Sequence, residues 1–484
     1  MEINIKSSVK NSKPRRTPRV RQGRGPGWAW WGRGAPDLNP RHAVRLLSRA
    51  GGFEVLVYEG GPPLDRALQA YLRARRSMGR NDRAVVSEAV YHLARNRAVI
   101  ARAMDDEPPG EGGRLLLAFL DLLGTDEPGK VPHLPGGVGR WARALRRVEE
   151  LRAGWIGTVK RAWKAPAREG GAVREALEGL FSVPGWWLDR GPWQTVGEAV
   201  RELARLRRPQ SLCLRAQVHR ASRDDVILEL RERGVPARPT ERSPWGVRVE
   251  GRHNVMALPV IREGRAEVQD EGSQLVACLC DPKPGERVLD LCAGGGGKTL
   301  ALASAMGGRG LVVAHDADAR RLADTRRRAR RAGLGNIRVV PDPSRVQDLG
   351  PYDLVLADAP CTSTGTLRRN PDVAWRWGPG DLERLAALQA EILERAAGLL
   401  APGGHLVYAT CSLLEPENHE QIRELLERHP ELEPAPPGDR TGHAPFADVP
   451  GAGSGAFRLP AVLPRYAGDA FFVARVRRRP APGK

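Results

Sequence analysis

Apolar residues recur along this chain at two different spacings, and the change between them divides it. From Arg41 to about Leu203 they follow the three-and-four rhythm of amphipathic helices. Ala43-Val44-Arg45-Leu46-Leu47, Leu64 to Leu72, Asp82 to Leu93, Leu115 to Leu123 and Trp141 to Leu151 each carry such a stripe. Gly/Pro clusters around 108–113 and 124–137 separate the pieces. This pattern predicts an all-helical domain over residues 39–203. A mixed stretch follows, with strand-like alternation at Ser211–Val218 and Gly246–Val249 and a helix from Asp224 to Arg233 stopped by Gly234. It predicts a small α+β connector over 204–262, leading through Val268-Gln269-Asp270 into a helix that reaches Cys280.

From Gly285 onward short apolar runs alternate with helical ones. Strands are predicted at Val288–Leu291, Gly310–Ala314, Ile337–Val340, Leu354–Ala357 and His405–Ala409, with a late hairpin between about Phe457 and Val476. Helices are predicted at Lys298–Met306, Ala319–Ala332, Leu382–Leu400 and Glu417–His429. Alternation of this kind implies right-handed crossovers and a parallel sheet, so residues 263–480 read as an α/β domain with ligands at the C-terminal strand ends.

The first of those strand ends carries Asp290-Leu291-Cys292-Ala293-Gly294-Gly295-Gly296-Gly297-Lys298-Thr299. Four glycines between a strand and a helix let a ligand approach backbone N–H groups where partial positive charge gathers. A phosphate-binding loop ending in Gly297-Lys298-Thr299 needs its first glycine where Cys292 stands, and a dinucleotide fingerprint needs its third where Thr299 stands. Both motifs therefore fail. The notable acids and thiols lie just beyond predicted strands: Asp290 and Cys292, Asp316, Asp342, Asp358 and Cys361, Cys411. Any one acid could be a helix cap or turn residue. Together, Asp316 at the distance suited to ribose hydroxyls, Asp342 for an adenine amino group and the lack of a phosphate site favour S-adenosylmethionine as the cofactor.

Two thiols after neighbouring strands narrow the reaction. Asp358-Ala359-Pro360-Cys361 and Ala409-Thr410-Cys411-Ser412 suit addition of a thiolate to carbon 6 of cytosine, which turns carbon 5 into a nucleophile for a methyl sulfonium. An acid near the ring nitrogen would stabilise the adduct. The spacing does not rank the two thiols, and either alone could be a small buried hydrophobe.

Charge agrees with a nucleic-acid substrate. The 484 residues carry a formal net charge of +20 and the sequence pI is about 10.5, which calls for a polyanionic partner, by default RNA or DNA. Residues 1–38 form a basic, Gly/Pro/Ser-rich tail with Trp28, Trp30 and Trp31 among its arginines, an RNA tether or an inert tail. No run of apolar residues is long enough to span a membrane, and the six cysteines show no zinc spacing, so neither membrane nor metal is expected. Scattered thiols point to a reducing, cytoplasmic setting; a monomer is expected.

At these residues the chain resembles the Nol/Nop/Sun family of RNA cytosine-5 methyltransferases, in its bacterial Sun/Fmu branch. The likeness rests on Asp290–Thr299, Asp316–Leu322, Asp358–Gly365 with Arg368–Asp372, Ala409–Asn418, Val268-Gln269-Asp270 and Asp469-Ala470-Phe471-Phe472. The helical domain resembles NusB, an RNA-binding module. The resemblance implies a Rossmann-like methyltransferase domain behind a NusB-like one, acting on small-subunit ribosomal RNA. The same chemistry on transfer RNA, or a catalytically silent RNA-binding assembly factor, are the alternatives. It implies Cys411 as nucleophile, Cys361 in product release and Asp358 facing the cytosine. It assigns Cys292, Ala293, Gly294, Gly295, Gly296, Gly297, Lys298, Asp316, Asp342 and Asp358 to S-adenosylmethionine. Two positions depart from the family pattern: Gly295 replaces a stiffening proline, and Ala470 replaces a glycine.

Overall fold

The computed structural model describes residues 40–59, 61–104, 112–123, 134–135, 137–168, 170–208, 212–251, 253–436, 446, 449, 451–459, 466 and 468–480. The basic tail lies outside them. The chain separates into two compact units, Met1–Ile156 and Gly157–Lys484.

The described residues of the first unit are helical. The helix Arg80–Arg95 buries Val85, Val86, Ala89, Val90 and Leu93 completely, the spacing of one helix face, against the apolar helix Gly113–Leu123. A polar clasp ties these helices to a third. Asp121 receives both guanidinium nitrogens of Arg152 at 2.7 Å and meets His92 Nε2 at 2.8 Å, and these partners hold its carboxyl well below the usual range despite burial. Arg83 is also committed internally, since its nitrogens donate to the carbonyls of Met78, Leu72 and Arg75 at 2.8–2.9 Å. Its arginine neighbours Arg73, Arg76 and Arg80 stay exposed.

The second unit begins with helices that include Val196–Leu206, capped by Thr195, whose hydroxyl accepts from the Glu198 N–H. A small antiparallel sheet follows, built from β1 (Leu212–Ala216), β2 (Ala237–Pro239), β3 (Gly246–Val249) and β4 (Ala266–Val268) in the order β2-β3-β1-β4. The helix Arg223–Glu232 packs Val226, Ile227 and Leu230 against Leu214, Val247 and Val249 of that sheet.

The main sheet contains β5 (Arg287–Asp290), β6 (Leu311–Ala314), β7 (Ile337–Val339), β8 (Tyr352–Asp358), β9 (Leu400–Thr410), β10 (Leu432–Pro434), β11 (Ala456–Leu459) and β12 (Phe471–Arg478). Its order is β10-β12-β9-β8-β5-β6-β7, with β11 also on β12. The five strands β5 to β9 are parallel, and β12 runs antiparallel to β9 with Phe472 opposite Thr410. Alternate residues feed two cores. Val288, Leu354, Leu356 and Val407 join the layer of Leu275, Leu279 and Leu300, while Leu289, Val355, Ala357, Leu406 and Tyr408 join Leu393 and Ile422 on the other face. Burial on both faces explains why these strands read as unbroken apolar runs.

The predicted α/β organisation is therefore present, with boundaries shifted by a few residues; β9 begins earlier than expected. The strands β2, β4 and β10 are not predicted: each is three residues long and includes a charged or proline residue, whereas the equally short β7 lies in a clearer apolar run. The strand order reverses at β5, whose neighbours are β6 and β8. In open α/β sheets ligands bind beyond the C-terminal strand ends at such a reversal.

Candidate active site

At the end of β5 the chain enters the glycine loop and then the helix Gly297–Ala305. Gly294 (φ +53°) and Gly296 (φ +81°) adopt left-handed conformations that disfavour other residues, and a Cβ on Gly296 would lie 2.7 Å from the Thr325 methyl. Asp316, buried beyond β6, accepts the Gly294 N–H at 2.8 Å on one oxygen and the Asp318 N–H at 2.8 Å on the other. Each oxygen keeps lone-pair capacity for further donors. Asp342, beyond β7, is exposed, and Ser344 donates its hydroxyl and N–H to Oδ1, lowering the carboxyl's pKa. Beneath the loop, burial pushes Asp290 up to about 7; Thr299 donates to its Oδ2 at 2.7 Å, while Oδ1 has no partner. Burial also pushes the Cys292 thiol up, so this residue behaves as a packed thiol rather than a reactive one.

The loop's lysine turns away from any phosphate position. Lys298 Nζ donates to Asp358 Oδ2, at the end of β8, at 2.6 Å, and lies 5.3 Å from the centre of the Phe471 ring. Burial works against the ammonium, but the charge and hydrogen bond of Asp358, with the charges of Cys411 and Asp290, together outweigh it, so the pKa of Lys298 is raised.

The two thiols meet. Cys361 Sγ and Cys411 Sγ, from the loops after β8 and β9, are 3.5 Å apart. The hydrogen bond from Cys361 lowers the Cys411 thiol, aided by Ser363 and by the charge of Arg369, whereas the same pairing and burial raise Cys361 well above its usual value. This pairing favours an anion on Cys411 over one on Cys361. Ser363 adopts φ +58°, an uncommon left-handed conformation for a residue with a side chain, which marks this turn as held by its surroundings. Arg369 is fixed by Asp469 at 2.6 Å.

A buried carboxyl braces both thiol loops. Glu417 accepts the Thr362 N–H at 2.8 Å and Gln389 Nε2 at 3.0 Å, and also bonds the Thr362 hydroxyl. Thr362 Oγ in turn lies 3.1 Å from Ser412 Oγ, so the residues after Cys361 and Cys411 share one network. Across the same loops, Gly365 N–H reaches the Cys411 carbonyl at 2.8 Å and the Ala470 N–H reaches the Gly365 carbonyl at 3.1 Å. A Cβ on Gly365 would collide with the Ala470 carbonyl. Ala470 itself is not among the positive-φ residues, so its methyl in place of glycine introduces no backbone strain.

The structure thus brings together Gly294 with Asp316, Lys298 with Asp358, and Cys361 with Cys411. Asp342 makes only local contacts of its own. Sequence reasoning missed Glu417, Ser363 and Arg369, and it noted Asp290 without giving it a role. A buried glutamate in Glu415-Pro416-Glu417 and a left-handed serine leave no periodic signal. The site fits an adenosyl cofactor. The N–H groups of Gly295 and Gly297 have no protein acceptor among the described residues, the buried acid Asp316 keeps acceptor capacity for hydroxyl donors, and the nearby cation is already paired with Asp358. No group of residues suited to a metal ion occurs among the described residues.

Comparison with known proteins agrees. The sequence model of the 16S rRNA methyltransferase RsmB/F family matches residues 277–477. The chain is 36% identical over 407 residues to ribosomal RNA small subunit methyltransferase B of Cronobacter sakazakii, covering 81% of this chain and 92% of that one. It is 35% identical over 436 residues to the Xanthomonas campestris protein of the same description, covering 86% and 94%. The crystal structure of the protein designated PH0851 superposes with a TM-score of 0.66 at 24% identity, over 91% of this chain and 99% of the other, a likeness of fold. The chain belongs to the RsmB/F family of S-adenosylmethionine-dependent ribosomal RNA methyltransferases.

Proposed function

We propose that the chain methylates carbon 5 of a cytosine in small-subunit ribosomal RNA through a covalent adduct on Cys411. The observation that carries this reading is the thiol pair, 3.5 Å apart, with the thiolate favoured on Cys411. Cys411 Sγ forms a bond to carbon 6 as the C5=C6 electron pair moves to carbon 5. Asp358, fixed by Lys298, faces the cytosine and accepts a hydrogen bond from its exocyclic amino group, which holds the ring as the adduct forms. Bound S-adenosylmethionine supplies an electrophilic methyl group. After carbon 5 takes that methyl, its proton passes to water, the C5=C6 bond re-forms, and the bond from carbon 6 to Cys411 breaks. Cys361, protonated because of its raised pKa, donates a hydrogen bond to the departing thiolate. The glycine loop, Asp316 and Asp342 hold the cofactor, and the helical first unit contributes RNA contacts.

Two substitutions test the roles. Cys411→Ala should abolish methyl transfer and adduct formation. Cys361→Ala should accumulate a denaturation-resistant protein–RNA adduct. Methyl transfer by Cys411→Ala, or free turnover by Cys361→Ala, would sink the assignment. Mapping 5-methylcytosine in ribosomal and transfer RNA of cells lacking the gene tests the substrate. Loss from transfer RNA alone would overturn the ribosomal reading.

A further inference from the structure

We infer that Arg328, anchored by Glu267 of the small sheet, is a positioning residue for S-adenosylmethionine, because it fixes the peptide plane that follows Gly295. This rests on assigning the glycine loop to the cofactor, as proposed above.

Four consecutive glycines make a poor rigid cradle, since each loses more backbone freedom on ordering than any other residue. Gly294 and Gly296 need that freedom for their positive φ; Gly295 does not. A Cβ on Gly295 would meet only Arg328 Nη1, at an ordinary 3.6 Å, and its N–H has no protein acceptor among the described residues. The sequence thus has slack at Gly295 that the local conformation does not require. Something outside the loop must remove it.

The helix Ala319–Ala332 does so from one face. Thr325 Oγ1 donates to the Gly294 carbonyl at 3.2 Å, and three residues on, Arg328 Nη1 donates to the Gly295 carbonyl. A peptide unit is planar, so holding a carbonyl also aims the N–H on its far side. Thr325 thereby orients the unpaired Gly295 N–H. Arg328 orients the Gly296 N–H, which closes on the Ala293 carbonyl at 2.8 Å. Arg328 is itself held: its Nε and Nη2 donate to Glu267 Oε2 at 3.2 and 3.0 Å, and Glu267, almost fully buried, also binds Arg331. A guanidinium can hold Glu267 and the loop carbonyl in one fixed fork, which an ammonium cannot. Two residues beyond Glu267, Gln269 Nε2 stands 3.4 Å from where a Gly297 Cβ would be, so the segment at and just after β4 reaches the loop twice.

Binding of S-adenosylmethionine to the full-length protein, measured by equilibrium dialysis with labelled cofactor, tests this. Arg328→Ala should weaken cofactor binding about tenfold while KM for RNA stays within about twofold. Glu267 keeps Arg331, so folding is not undermined by an unpaired buried charge. Arg328→Lys, which retains a charge on Glu267, should also bind the cofactor more weakly. The decisive variant is Arg328→Ala/Gly295→Ala: an alanine stiffens the loop from within while keeping the N–H, and should recover part of the lost affinity. Cofactor affinity of Arg328→Ala within twofold of the parent, or a double variant no tighter than Arg328→Ala, overturns the proposal. Asp316→Ala separates the underlying reading. If it leaves cofactor affinity intact, the loop is not the cofactor site and both statements fall; if it weakens binding while Arg328→Ala does not, only this one falls.

Discussion

Replacing Glu417 by alanine isolates the brace between the two thiol loops. The substitution removes both carboxylate oxygens from a fully buried site. Gln389 Nε2 keeps the Pro360 carbonyl at 2.8 Å and Thr362 Oγ keeps Ser412, but the Thr362 N–H loses its acceptor. A buried orphaned donor costs about 1–3 kcal/mol, and the lost methylene adds about 0.8 kcal/mol. A destabilisation of roughly 2–4 kcal/mol follows, or a fall in Tm of about 5–10 °C. Freed of the brace, the turns carrying Cys361 and Cys411 can drift, and a displacement near 1 Å costs on the order of 100-fold in kcat. Glutamine is the control. Its Oε1 can accept both N–H donors and its amide can donate to Thr362 Oγ, which then donates to Ser412, so Glu417→Gln should retain most activity. The pKa of Glu417 is already raised by burial, opposed by its hydrogen bonds, so a neutral replacement suits the site. Methyl transfer from labelled cofactor gives kcat, and the pH profile of Cys411 alkylation, followed by mass spectrometry, reports its thiolate. Equal kcat and an unshifted profile in Glu417→Ala would refute the bracing argument. A Glu417→Gln variant as damaged as Glu417→Ala would show that the charge, not the bracing, matters.

Two other substitutions probe the charges beneath the loop. Asp290 has a folded pKa of about 7 against roughly 3.9 unfolded, so its contribution is fully present below about pH 4 and is lost as pH rises through 7, by up to about 1.4 kcal/mol per pH unit. Asp290→Asn should therefore gain stability relative to the parent between pH 5 and pH 8 in thermal melts; a constant difference across that range contradicts the raised pKa. Lys298→Met keeps the contact with Phe471 but leaves Asp358 without its cation, and should slow single-turnover methylation about 10–100-fold. An unchanged single-turnover rate would remove the pair from the chemistry.

What the sequence made legible is what repeats or what breaks a repeat. The parallel strands announced themselves because both faces are buried, and the glycine run because it interrupts an apolar strand before a helix. The co-location of acids and thiols followed from the strand-end rule alone. The ranking of Cys361 and Cys411 did not, because it depends on which sulfur receives the hydrogen bonds. The Cys361 hydrogen bond, Ser363 and the charge of Arg369, which Asp469 holds from a hundred residues away in sequence, all bear on Cys411. Glu417 was invisible for a similar reason: a glutamate two residues after another in a polar stretch looks solvated until the fold buries it. Arg83 is equally unreadable from sequence, since its guanidinium is spent on three backbone carbonyls.

The same reasoning explains how one sheet can serve two partners without confusing their electrostatics. A thiolate and several carboxylates crowd the C-terminal edge, and each needs a different environment. Lys298 pairs with Asp358 and so takes the nearest cation away from the cofactor loop, which then presents only neutral N–H donors and suits a ligand without phosphates. Arg369 is bound to Asp469 and acts on Cys411 through its charge. Asp290, with no cation bonded to it, responds to burial by holding its proton more tightly. The cofactor half of the site thus offers backbone N–H donors and the Asp316 carboxyl group, while the thiol half favours an anion on Cys411. The hydrogen bond and charge that lower the Cys411 thiol thus sit beside a loop that offers backbone donors.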